Sequence, residues 1–163
     1  MLVCLRCDWK NQKRGVRSCV CPHCSGNAIK VSPNMLQIAK RLHKAGLRLS
    51  KAGSHIELLG CEKTEILMVH IEFAQEYDER VFTISELPSE FEHRVVCPPN
   101  AAPYSSVICA DPRFPSLCFD DDAKKTLRIT LRRLRSWVER LESPEIRTVL
   151  ILAGFFSQHY RKE

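Results

Sequence analysis

The sequence contains no long hydrophobic run. Its longest apolar stretches are ILMV (66–69) and, broken by one glycine, VLILAGFF (149–156). Both fall far short of the ~18 residues that a membrane-spanning helix needs. The N-terminus lacks the apolar core of a secretory signal, because a Cys-x-x-Cys pair and a series of charges occupy that stretch. The expected compartment is therefore the cytoplasm, with no membrane association and with thiols kept reduced. A P-loop, a glycine-rich dinucleotide turn and a zinc-protease helix are all missing, so no small-molecule cofactor is predicted and no catalytic motif supports an enzyme. Internal repeats and low-complexity segments are absent as well.

Cysteine, by contrast, is abundant. The chain has nine in 163 residues, and five of them are Cys4, Cys7, Cys19, Cys21 and Cys24. In a reducing compartment such crowding points to metal before disulfides. CLRC (4–7) and CPHC (21–24) are two Cys-x-x-Cys turns separated by thirteen residues. Each turn aims two sulfurs at one spot, and two turns make a tetrahedron of thiolates. That geometry suits one Zn²⁺, with Zn–S distances of about 2.3 Å. The predicted ligands are Cys4, Cys7, Cys21 and Cys24. With four sulfurs and no open position, the site is expected to be structural.

Cys19 is the alternative to Cys21 and would pair with Cys24 at a wider spacing. Cys21 is preferred because the Pro22 and Gly26 around it suit a tight knuckle, with glycine supplying a positive φ. His23 lies inside the knuckle and is expected to face outward. Arg6, Lys10, Lys13, Arg14 and Arg17 would partly neutralise the negative metal centre.

From CPHC through SGN-AIKVSPNMLQIAKRLHKAGLRL, the chain resembles small zinc-ribbon proteins, uncharacterised and of the Gram-positive bacterial and phage type. The likeness spans about residues 1–60. It implies a strand and then a helix ending in Lys/Arg-x-Gly after the second knuckle, and it implies no known activity. Such proteins often continue with a Ser/Cys-rich Gly-His loop. SKAGSHIE (50–57) stands at that place here without a cysteine.

The expected fold class is α+β: an N-terminal zinc ribbon (1–27) and a domain (28–163) with a small, mostly antiparallel sheet. One central helix and a C-terminal helical pair (about 121–160) cover that sheet. AIKV (28–31) reads as a strand, and Ser32-Pro33 as the cap and first residue of a helix that ends at Gly46. LRLS (47–50), TEILMVHIEFA (64–74), VFTI (81–84), RVVC (94–97) and SVICA (106–110) read as strands. SKAGSHIE, PPNAAPYSS (98–106) and ADPRFPS (110–116) read as loops. DDDA (120–123) reads as a cap for a helix whose Leu127, Leu131, Leu134, Val138 and Leu141 form an apolar stripe widened by Trp137. Ser143-Pro144-Glu145 starts a last helix, apolar nearly all round and so expected to be buried.

Charge is unevenly distributed along the chain. The net charge is +6, and the ends carry the bases while residues 54–94 hold ten acids against three bases. Lys124, Arg128, Arg132 and Arg135 form a basic stripe on the long C-terminal helix, and Lys40, Arg41 and Lys44 form one on the central helix. Such stripes can track phosphates. The leading expectation is therefore a zinc-stabilised, non-enzymatic binding protein contacting nucleic acid or a nucleic-acid-processing complex. The alternative is a protein–protein interaction module, such as a phage or mobile-element factor that binds a host protein. An enzyme would have to bring His55, Cys61 and His70 together, or use His70 and Glu72 as an acid/base pair. Cys97, Cys109 and Cys118 are spaced too widely for a knuckle and are expected in the core.

Overall fold

In a computed structural model, the described residues are 1–12, 20–59, 64–111 and 121–155. They form an α+β fold with a seven-stranded, mostly antiparallel sheet and four α-helices. The strands are β1 (Leu2–Cys4), β2 (Lys10–Asn11), β3 (Ala28–Val31), β4 (Leu49–Leu59), β5 (Thr64–Phe73), β6 (Glu92–Val96) and β7 (Tyr104–Asp111). Their order across the sheet is β2-β1-β3-β4-β5-β7-β6. Only β3 and β4 run parallel; they are joined by the crossover helix α1 (Leu36–Lys44). The other helices are α2 (Glu79–Ile84), α3 (Asp121–Glu142) and α4 (Pro144–Leu152). None of the described helices is long and apolar enough to cross a membrane.

The core lies on one face of the sheet. Val69, Ile71 and Phe73 of β5 alternate inward, as their period of two requires. They meet Ile38, Ala39 and Leu42 of α1 and Leu131, Leu134, Trp137, Val138 and Leu141 of α3 in one cluster. Gly46 stops α1 at φ +100°, and Leu47 N–H returns to the Leu42 carbonyl. The sheet also crosses from the cysteine segment into the rest of the chain. Leu2, Val3 and Cys4 pair with Lys30, Ile29 and Ala28, and Val3 is fully buried in the common core.

Four sequence expectations are corrected here. VFTI (81–84) is helical, not extended: Asp78 caps α2 by accepting from the Arg80 N–H, and Val81 and Phe82 turn inward from that turn. Its β-branched residues lose to the cap and to burial. SKAGSHIE is not a loop, since it lies within β4 and is paired with β5 from Lys51 onward, after an irregularity at Ser50. The Ala-Gly-Ser run reads as a turn, yet small residues are needed there. A Cβ on Gly53 would stand 2.7 Å from Cε1 of His70, its cross-strand partner. Gly53→Ala should therefore lower stability by about 1–3 kcal/mol through overpacking. An unchanged urea midpoint would show that His70 moves aside freely.

The last helix is the third correction. α4 ends at Leu152 rather than near 160, with Gly154 at φ +80° beyond it. It is not buried all round: Leu150 is fully covered, but Val149 is 45% and Leu152 79% exposed. One side packs on α3 and α2, and nothing among the described residues covers the other. The fourth correction is Cys97, which lies just past β6 and is exposed rather than in the core; Cys109 is buried as expected. Cys118 and the ADPRFPS loop beyond Asp111 lie outside the described residues.

Candidate metal centre

The two Cys-x-x-Cys turns fold as near copies of each other. In the first, Cys4 N–H donates to the Trp9 carbonyl at 2.9 Å; in the second, Cys21 N–H donates to the Gly26 carbonyl at 2.7 Å. Both bonds reach five residues ahead. In both turns the residue after the second cysteine has positive φ, Asp8 at 59° and Ser25 at 55°. The left-handed residue of the second knuckle is thus Ser25, not Gly26. Gly26 answers a different need, because a Cβ there would come within 3.3 Å of Cys24 Sγ and 3.8 Å of Cys4 Sγ. It leaves room for sulfur.

These turns bring Cys4, Cys7, Cys21 and Cys24 together with every pair of sulfurs within 4.8 Å. Cys4 Sγ and Cys24 Sγ are 3.5 Å apart, as are Cys7 Sγ and Cys21 Sγ, so each contact joins one knuckle to the other. Cys4 and Cys21 are buried, Cys24 is half-buried and Cys7 is exposed. The four residues can hold one metal ion, and they are the only such group among the described residues. Cys19 lies outside the described residues.

The thiols are electrically unequal. At Cys21 desolvation works upward, but the N–H groups of His23 and Cys24 and hydrogen bonds from the Cys7 and Cys24 thiols outweigh it and bring the pKa down to about 7. The His23 N–H lies 3.4 Å from that sulfur. At Cys7 the Trp9 backbone works downward, but desolvation and hydrogen bonds to Cys21, Cys24 and Cys4 push the thiol up to about 12. The Cys21 sulfur thus gives up its proton more readily than the Cys7 sulfur, and a bound cation would have to displace the proton of Cys7. His23 is exposed, its ring 6.3 Å from that of Trp9.

The predicted cations fall into two groups. Those of α1 are mostly occupied. Lys40 Nζ is 2.7 Å from Asp8 Oδ1, tying the first knuckle to α1. Arg41 holds Glu139 at 2.9 Å and Glu142 at 2.5 Å on the last turn of α3, and both carboxylates raise its pKa further. Lys44 is exposed. On α3, Lys124, Arg128, Arg132 and Arg135 are all exposed. Arg133 and Arg140, which the sequence did not single out, pair with Glu90 and Glu86. Where α1 meets the last turn of α3, the charge of Arg41 is matched by Glu139 and Glu142.

His70 is buried in the sheet beside Gly53, and Glu72, on the same face, is bound to Lys51 at 3.1 Å. The acid of that pair is thus already engaged. Cys61 and the side chain of His55 lie outside the described residues. No family model, curated protein or solved structure matches the chain.

Proposed function

We propose that the chain is a zinc-stabilised, non-enzymatic binding protein that contacts nucleic acid through the exposed face of α3. The observation that carries this reading is the division of the arginines. Arg41, Arg80, Arg94, Arg133 and Arg140 each lie against a carboxylate. Arg128, Arg132 and Arg135 have no such partner among the described residues and are exposed. Cations held on a rigid helix without an acid partner are available to an external anion, and guanidinium forks match phosphate oxygens.

Zinc is the metal the sulfur geometry favours. A tetrahedron with Zn–S bonds of about 2.3 Å has edges of roughly 3.8 Å. The cluster, with contacts of 3.5 Å and a greatest separation of 4.8 Å, reaches that shape by shifts below about 1 Å. Soft thiolates select zinc over magnesium or calcium. A closed set of four sulfurs assigns the ion a structural role, holding the ribbon-like turns against the sheet.

A second reading has its own observation. Leu152 and Val149 leave an apolar patch on α4, which suits a protein contact. A gel-shift series at ~50 mM salt, with mixed duplex and single-stranded DNA and RNA, separates the two. Retardation at micromolar protein is expected. If no nucleic acid is retarded, the leading function is lost and the protein–protein module takes its place.

A further inference from the structure

The shape and surroundings of α3 carry the reading one step further, and this step rests on the nucleic-acid proposal above. We infer that α3 takes a double-stranded nucleic acid by its phosphate backbone and does not read base sequence.

Arg128, Arg132 and Arg135 lie within about 60° of one another around the helix and span roughly 10 Å of its axis. They form a short, straight row fixed on a rigid support, since Leu131, Leu134, Trp137, Val138 and Leu141 on the same helix are buried in the core. The exposed Lys125 extends the row toward the helix N-terminus. A fixed row of cations is complementary to a fixed row of anions. Duplex presents one charge per ~1.7 Å of its axis with both strands counted, so about six phosphate charges lie along a length equal to the arginine span. A single strand offers about half that density and must be ordered before its phosphates match. Aromatic stacking normally offsets that ordering, at about 1–3 kcal/mol per base. α3 itself offers no aromatic on this face: Trp137, its one aromatic residue, is 0% exposed.

The composition and the surroundings of α3 disfavour base readout. A helix reads sequence by descending into a major groove roughly 12 Å wide and 8.5 Å deep. The second half of α3 is tied to its neighbours by ion pairs. Arg41 of α1 is bonded to Glu139 and Glu142 at its last turn, while Glu90 and Glu86 are bonded to Arg133 and Arg140 on the other flank. Among the described residues, the exposed face of α3 carries mainly Arg and Lys and the helix has no Asn or Gln, a composition that suits phosphates better than base edges. Contacts of this kind set affinity and leave sequence unread.

The test is a set of anisotropy titrations with two unrelated mixed-sequence duplexes of equal length and with their separated strands, at matched salt. The parent protein should bind both duplexes within about threefold of each other, and at least about tenfold more tightly than any single strand. R128Q/R132Q/R135Q removes three cations from exposed positions, and its circular dichroism should match the parent. Its slope of log affinity against log salt should be flatter by about two to three units. Tighter binding to a single strand, or a strong preference for one duplex, would overturn this inference while leaving nucleic-acid binding in place. An unchanged slope in the triple variant would move the contact away from α3. Binding to none of the probes would remove both this inference and the function it rests on.

Discussion

Replacing Cys21 by serine should cost the protein its metal and the order of both knuckles. Cys21 is 1% exposed, its sulfur is 3.5 Å from Cys7 Sγ, and its backbone N–H closes the second turn on Gly26. A serine hydroxyl is not ionised at neutral pH and is a poor zinc ligand, so three sulfurs would remain. Apparent binding free energies for structural zinc are about 10–16 kcal/mol, and where apo sites do not form, that binding energy is also folding energy. Residues 4–11 and 20–27 have little apolar content of their own to replace it. The effect should stop near β3. Strands β3, β4, β5 and β7, with α1, α2 and α3, share a continuous core to which the cysteine segment adds Val3, with the half-buried Met1 and Leu5 packed against it. Losing the buried Val3 contact costs about 1.5–3 kcal/mol, which a domain of this size can survive. Hydrogen exchange on Cys21→Ser, or on parent protein treated with a chelator, should show lost protection around the knuckles and retained protection from residue 28 onward. Collapse of the whole sheet would instead show that the pairing of β1 with β3 makes the two parts one cooperative unit. Cys19→Ser should keep the metal; losing it there while Cys21→Ser retains it would move the fourth ligand to Cys19.

Trp137→Ala should be the most damaging substitution away from the cysteines, at about 3–5 kcal/mol. The indole is fully buried, stacks on Phe82 of α2 at 6.3 Å and 25°, and donates its Nε1–H to Ser85 Oγ at 2.8 Å. Ser85 is itself fully buried and passes its own hydrogen to the Val81 carbonyl at 2.7 Å. Arg140, one turn along α3, reaches the Ser85 and Glu86 carbonyls. Trp137 thus joins α3 to the end of α2 by packing and by a hydrogen bond together. Ser85→Ala isolates the polar part. It leaves the indole ring in place and strands its N–H, for an expected loss of about 1–3 kcal/mol. Urea unfolding of the two variants should rank them in that order. A Trp137→Ala midpoint close to the parent's would mean that α3 is not anchored through this residue.

The cysteine tetrad was legible because its chemistry is local. A Cys-x-x-Cys spacing fixes a turn whatever surrounds it, and the fold only had to bring two such turns together. The long strand β5 and the helices α1 and α3 were legible for the same reason, since each carries its own period. The misread segments depend on distant partners. Gly53 reads as a loop residue until His70 is placed against it across the sheet. VFTI has strand composition, yet lies one turn inside a helix that Asp78 caps. α4 is apolar enough to be buried, but how much of it is covered depends on what packs around it. The basic stripes show the limit most plainly. Arg41 and Arg128 look alike in sequence, and only the fold reveals that Arg41 faces Glu139 and Glu142 across roughly a hundred residues of chain. Arg133 and Arg140, whose carboxylate partners lie in the segment after α2, carry no sequence signal of their role.

The central claim is a single zinc held by four sulfurs within the sheet-bearing fold, and zinc K-edge absorption on protein purified without chelator addresses it most directly. The expected result is one zinc per chain, with a first shell of four sulfurs at about 2.3 Å. A chain without zinc, or a shell in which nitrogen or oxygen replaces one of Cys4, Cys7, Cys21 and Cys24, would contradict it.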